Sequence, residues 1–162
     1  MGVDKITIGV KVHFARLCYK FTNLAYSLEK TVKITVLNGD PDSNNKIEDY
    51  LHELSSLLVS RKHVVKIFDL SEMDMKYCIG CFYCWTKTPD KCFVEDDSNI
   101  ICREYMSSDF VLFASLIIMG FTSVILKKIH DKLLPLCIPY ARLLDQRVRH
   151  KPRYDKYPRI GV

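Results

Sequence analysis

Residues 110–115 read Phe-Val-Leu-Phe-Ala-Ser, five consecutive apolar positions without a polar break. A strand that is apolar on both faces needs cover on both, and a parallel sheet with helices on either side supplies it. Two shorter apolar runs come earlier, Val-Lys-Ile-Thr-Val-Leu at 32–37 and Val-Val-Lys-Ile-Phe at 64–68. Helical periodicity fills the gaps between them. Ile47, Tyr50, Leu51, Leu54, Leu57 and Leu58 make one apolar stripe; Ile100, Ile101, Tyr105 and Met106 make another, with Asp97 or Ser98 as its cap. A further helix is expected over 123–134, capped by Thr122 and ended by Pro135. Such alternation predicts an α/β three-layer fold with right-handed crossovers. Ligands of these folds gather at the carboxyl ends of the strands. The loops at 38–45, 78–92 and 115–121 all leave expected carboxyl ends, so they share one rim.

Ahead of this region, residues 5–14 alternate between apolar and polar, and Leu17, Phe21, Leu24 and Leu28 recur at helical spacing. Residues 1–30 therefore read as an N-terminal βα extension of unknown role. Its Cys18 and His13 are most simply packing and surface residues.

The chemistry concentrates in Cys78-Ile-Gly-Cys81-Phe-Tyr-Cys84, closed by Cys92. Thiolates are soft ligands and strong nucleophiles, and this spacing lets four of them converge on one centre. Ferredoxin-type iron–sulfur ligation uses a similarly compact run, although Phe93 stands where a proline commonly follows the last cysteine. Zinc is the rival metal, but zinc sites usually place two ligand pairs further apart. A free-thiol loop is the third reading, because cysteine also serves as a small buried apolar residue. No signal peptide is visible, so the seven cysteines point to a reducing cytoplasm and to metal or redox chemistry.

Two features invite other functions. Residues 110–126 carry no charge and approach the length of a membrane span. Gly120-Phe-Thr-Ser interrupts them with loop chemistry, which favours strand, loop and helix start over a span. The net charge of +5 is located from Ala141 onward, where seven basic residues face two acids. A basic tail can bind nucleic acid. No nucleic-acid motif accompanies this one, so a solvated connection is expected.

The loop Asn38-Gly-Asp-Pro-Asp-Ser-Asn-Asn45 lies between a strand and a helix. A helix N-terminus there offers unpaired N–H groups to a phosphate, with Ser43, Asn44 and Asn45 as extra donors. Asp40 and Asp42 oppose an anion, and a turn that only caps the helix explains the loop equally well.

Taken together, Asn38-Gly-Asp-Pro41, the run 78–89, Cys92 with Asp96-Asp97, Ala114-Ser-Leu-Ile-Ile-Met-Gly-Phe-Thr122, Asp131-Lys-Leu-Leu-Pro135 and Arg153-Tyr-Asp-Lys-Tyr-Pro158 resemble the flavodoxin-like NAD(P)H-dependent FMN reductases, including the iron–sulfur flavoproteins. The resemblance covers about residue 31 to the end. It implies a flavodoxin-like FMN-binding domain over 31–162. It places the FMN phosphate at Asp40, Ser43, Asn44 and Asn45. The isoalloxazine ring would lie along Ser115, Leu116, Ile117, Ile118, Met119, Gly120 and Phe121. A [4Fe–4S] cluster would be held by Cys78, Cys81, Cys84 and Cys92, with NAD(P)H as electron donor. The partner would be a small molecule or a redox protein, not a nucleic acid or a membrane, and the assembly a homo-oligomer. The family assigns the redox chemistry to its cofactors, and no catalytic side chain is expected.

Three departures accompany the resemblance. The first loop is short and acidic, Leu116 replaces a common proline, and the chain stops at Ile160-Gly-Val162, where the family's fourth strand would begin. An incomplete, truncated fold is therefore expected. Two alternatives follow: a non-enzymatic metal-binding or redox scaffold built on the four cysteines, and an inactive truncated reductase.

Overall fold

A computed structural model describes residues 31–41 and 46–162. The N-terminal βα expectation, and the phosphate-loop residues Ser43, Asn44 and Asn45, lie outside the described residues. Within them, strands β1 (Lys33–Asn38), β2 (Val64–Asp69), β3 (Phe110–Ala114) and β8 (Arg159–Gly161) form one sheet in the order β2-β1-β3-β8. Every pairing in it is parallel. Helices α1 (Lys46–Ser60), α3 (Ser98–Ser107) and α4 (Val124–Lys132) flank it, with a one-turn helix α2 at Tyr83–Thr86. The arrangement is flavodoxin-like α/β.

Strand alternation explains the two cores. Ile34 and Val36 of β1, with Phe110 and Leu112 of β3, pack with Leu51, Leu54 and Leu58 of α1. Leu37, Val111 and Phe113 point to the other face and meet Ile101, Tyr105, Leu126 and Ile129 of α3 and α4. Successive side chains of one strand thus feed opposite layers, which is why β3 is apolar throughout. Leu37, Val111, Ile101, Leu126 and Ile129 are fully buried. A side chain of that kind contributes about 1.5–3 kcal/mol by leaving water.

A strand does begin at the end of the chain. In β8, Ile160 pairs with Val111 and Gly161 with Leu112. The Arg153-to-Pro158 run holds it there. Tyr154 and Tyr157 pack on the α3–α4 core. The Tyr157 hydroxyl donates to the Leu136 carbonyl at 2.5 Å and accepts from the Arg153 amide at 2.9 Å.

Two expectations need correction. The tail before this run is a hairpin of β6 (Cys137–Leu144) and β7 (Arg147–Pro152), not a plain connection, although its outer part is solvated as expected. Its turn is Asp145-Gln146, both at positive φ (49° and 61°). The mirror-image hairpin turn needs that conformation, and without glycine there the sequence signal is weak. The cap of α4 is Ser123, whose Oγ accepts from the Leu126 amide at 3.1 Å. Thr122 instead belongs to β5 (Phe121–Thr122), paired antiparallel with β4 (Ile117–Ile118). The uncharged stretch 110–126 is thus strand, hairpin and helix start, and no helix among the described residues is long and apolar enough to cross a membrane.

Candidate cysteine centre and flavin rim

Three strand ends are tied together at the rim. The Asn38 side-chain amide donates to Asp69 Oδ1 at 2.8 Å, joining the ends of β1 and β2. The Gly39 amide donates to the Ala114 carbonyl at 2.8 Å, joining β1 to β3. The Ser123 hydroxyl donates to the Gly39 carbonyl and brings in the start of α4. Asp40 follows directly, its amide donating to Asn38 Oδ1 at 3.2 Å, and it is only 3 % exposed. Burial keeps its carboxylate off the solvent side of the rim.

The expected ring-facing loop is the β4–β5 hairpin. Met119 and Gly120, both at positive φ, make its turn. Ile117, Ile118, Met119 and Phe121 are all exposed, Met119 by 93 %. Ser115 anchors the hairpin's base: its Oγ accepts from the Ser123 amide at 2.9 Å and donates to the Leu116 carbonyl. An exposed apolar tip on a hydrogen-bonded base offers a flat ring something to lie against.

The cysteine segment enters the same side after β2. Gly80 (φ 67°) and Phe82 (φ 55°) both take the left-handed conformation just ahead of α2. A Cβ on Gly80 would meet nothing, so glycine serves conformation here and not close packing. Cys84 lies in α2 and is buried, while Cys78 and Cys81 stay exposed and Cys92 is half-buried. All four cysteines line one cleft, together with Lys132 and Pro135. Burial pushes the Cys84 thiol above its ordinary value, and Cys92, Cys78 and Cys81 push it further. A thiolate at Cys84 is therefore disfavoured beside its three neighbours, a repulsion that a bound cation relieves. Among the described residues no three Cys, His, Asp or Glu side chains form a ready metal-binding geometry. The thiols share a cleft, not a finished polyhedron. The donor set of soft sulfurs with apolar Ile79, Phe82 and Phe93 around it fits an iron–sulfur group.

The segment is braced from three sides. Trp85 Nε1 donates to the Leu134 carbonyl at 3.2 Å, and Arg153 donates to the carbonyls of Cys84 (3.4 Å) and Cys137 (3.3 Å). At its root, the Asp97 amide donates to the Asp74 carbonyl, and the Asp74 amide donates back to Asp97 Oδ2. Lys128 Nζ ties the Met75 carbonyl to α4 at 2.9 Å.

Lys132 is a member of the site that the sequence reading does not name. It is 1 % exposed, and its ammonium donates to Asp96 Oδ2 at 2.9 Å and to Cys92 Sγ at 3.3 Å. Burial works against its charge, but Asp96 and Cys92 outweigh it and hold its pKa above the usual value. Burial likewise opposes the Asp96 charge. Hydrogen bonds from Ser98, Lys132 and the Lys76 amide overcome it and hold the carboxyl below its ordinary value. The available signal is spacing: Leu126, Ile129 and Lys132 fall on one helical stripe, so a lysine sits where a third apolar residue belongs.

No family model matches the chain. It is 36% identical over 87 residues to an iron–sulfur flavoprotein of Clostridioides difficile strain 630, covering 51% of this chain and 37% of that protein. A second iron–sulfur flavoprotein, from Methanocaldococcus jannaschii, is 24% identical over 109 residues, 67% of this chain and 55% of its own. The chain is similar to iron–sulfur flavoproteins. It spans between about a third and just over half the length of these two curated relatives.

Proposed function

We propose that this protein is an FMN-dependent electron-transfer flavoprotein of the iron–sulfur kind, acting as an oxidoreductase with NAD(P)H or a redox protein as its partner. The observation that carries this is the convergence of Cys78, Cys81, Cys84 and Cys92 on one cleft, against Lys132 at the end of α4. The four cysteines would hold a [4Fe–4S] cluster. The exposed face of 115–121 and the loop 38–45 would hold FMN. When bound, these groups supply one-electron and hydride chemistry. The chain's own residues orient and shield: Arg153 and Trp85 fix α2, and Ser115 and Ser123 fix the hairpin base. A reducing cytoplasm and a homo-oligomer accord with this reading.

A second reading is a four-cysteine metal-binding scaffold without flavin. The lining of the cysteine cleft favours it, because among the described residues that cleft is built without any residue of the loops 38–45 and 115–121. The ultraviolet–visible spectrum of anaerobically purified protein separates the two, since flavin, cluster and zinc leave different signatures. Titration of the apo-protein with FMN, followed by flavin fluorescence quenching, tests the first directly. Saturable quenching is expected. None up to high micromolar flavin would leave the scaffold.

A further inference from the structure

The Lys132 ammonium is a full charge in a place where charges are rarely put. A buried lysine survives only when paired and hydrogen-bonded, and replacing such a pair with apolar residues is often neutral or stabilising. Its presence therefore asks for a reason beyond stability. The ammonium donates to two side chains, one a carboxylate and the other a thiol. Asp96 takes it at 2.9 Å with both side chains nearly inaccessible (1 % and 0 %). Asp96 is itself held by the Ser98 amide at 3.0 Å, the Ser98 hydroxyl and the Lys76 amide at 2.9 Å. The lysine is thus fixed from behind, and it reaches forward through the N–H···S bond to Cys92 Sγ at 3.3 Å. Cys92 is held at its backbone too, its amide donating to Asn99 Oδ1 at 3.0 Å. Among the four cysteines of the cleft, Cys92 is therefore the one gripped at both sulfur and backbone.

We propose that Lys132 is a positioning residue of the cysteine centre: pinned by Asp96, it holds the Cys92 sulfur toward the cleft and biases the centre toward its reduced state. This rests on the cluster reading above. Two physical effects follow from the one contact. Groups that hydrogen-bond a metal ligand orient it and tighten metal retention. Hydrogen bonds to cluster sulfurs and net charge near them set the reduction potential. A centre that gains one electron gains one negative charge, and a fixed ammonium against a ligand stabilises that form. Cys92 is also the ligand that arrives alone, beyond the compact run 78–84, where that run gives no positional help.

The test uses the full chain, reconstituted anaerobically with iron and sulfide. Wild type is compared with Lys132→Gln, which removes the charge, and with Lys132→Met combined with Asp96→Asn, which removes the buried pair together. Circular dichroism reports folding; iron and sulfide per chain, the rate of iron loss to a chelator, and the midpoint potential from a spectroelectrochemical titration report the centre. Folded variants should lose iron roughly tenfold faster than wild type, and their midpoint potential should shift downward. Folded variants with wild-type iron retention and potential overturn this proposal and leave the cluster reading intact. A wild type that takes up no iron removes the cluster reading, and this one with it. Failure of both variants to fold assigns the pair to the core and overturns the positioning role.

Discussion

A Cβ built on Gly39 would stand 2.7 Å from the Leu126 Cβ, nearer than side chains approach in real proteins. The end of β1 and the first turn of α4 are therefore in contact through a missing side chain. Nearby, the Ser123 hydroxyl donates to the Gly39 carbonyl and accepts from the Leu126 amide. Gly39→Ala should force the helix start away from the rim and destabilise the fold by about 1–3 kcal/mol. Urea denaturation measures that. If FMN occupies the rim, its affinity should fall in the same variant.

Ligands of one centre should fail together. Serine at Cys78, Cys81, Cys84 or Cys92 should abolish most of the iron taken up on reconstitution. Cys102→Ser should leave it. Burial pushes the Cys102 thiol up to about 12, so it stays protonated at neutral pH, and it donates to the Lys132 carbonyl at 3.4 Å. Iron counting on the five variants decides this. Free reaction of all four wild-type thiols with a thiol reagent, with no iron bound, would contradict it.

Trp85 is the chain's single tryptophan, and it follows Cys84 directly. Its ring stacks on Phe82 at a centroid distance of 5.0 Å, and its N–H is held by Leu134. Tryptophan fluorescence from this protein is therefore a local report on the cysteine segment. Loading the centre should quench the emission, and chelation should restore it. A spectrum insensitive to iron would place the metal elsewhere.

Glu104 predicts part of the acid stability profile. Lys66 and Lys33 each approach it to 3.1 Å, and those contacts, Lys66 first, hold its carboxyl below the ordinary 4.5. The folded state then binds this proton less tightly than the unfolded chain does. The contribution is complete above about pH 4.5 and is lost as the pH falls through the lower folded value. Glu104→Gln should flatten this part of the profile, so urea midpoints at about pH 7 and about pH 3 should differ less than in wild type. An equal difference in both proteins would mean that solvent screens the pairs.

The strands and helices of the sheet are legible in the sequence because burial on two faces leaves a plain mark: β3 is apolar at every position, and α1 carries its stripe. The cysteine cleft is legible as spacing. The brace around it is not. Arg153 meets Cys84 across 69 residues and Lys132 meets Cys92 across 40, contacts that local patterning does not encode. The cap of α4 falls one position later than expected because Thr122 and Ser123 are both good caps, and the short β4–β5 pairing decides between them. The β6–β7 hairpin reads only as charge, since Arg142 lies opposite Arg149 and its turn has no glycine. For Ser43, Asn44 and Asn45 the phosphate role stays a proposal.

The clasp between Asp74 and Asp97 has a consequence for how the centre would be assembled. It shortens the wandering segment to the residues between its two ends, so the four thiols are confined to a small volume whatever they hold. Bringing together groups on a tether costs little further chain entropy once the tether is closed. Their local concentration is on the order of millimolar or above, independent of how dilute the protein is. A metal released by one sulfur would have the other three within the same closed loop. Loosening the clasp should therefore make retention depend on the concentration of free metal, with every cysteine still in place.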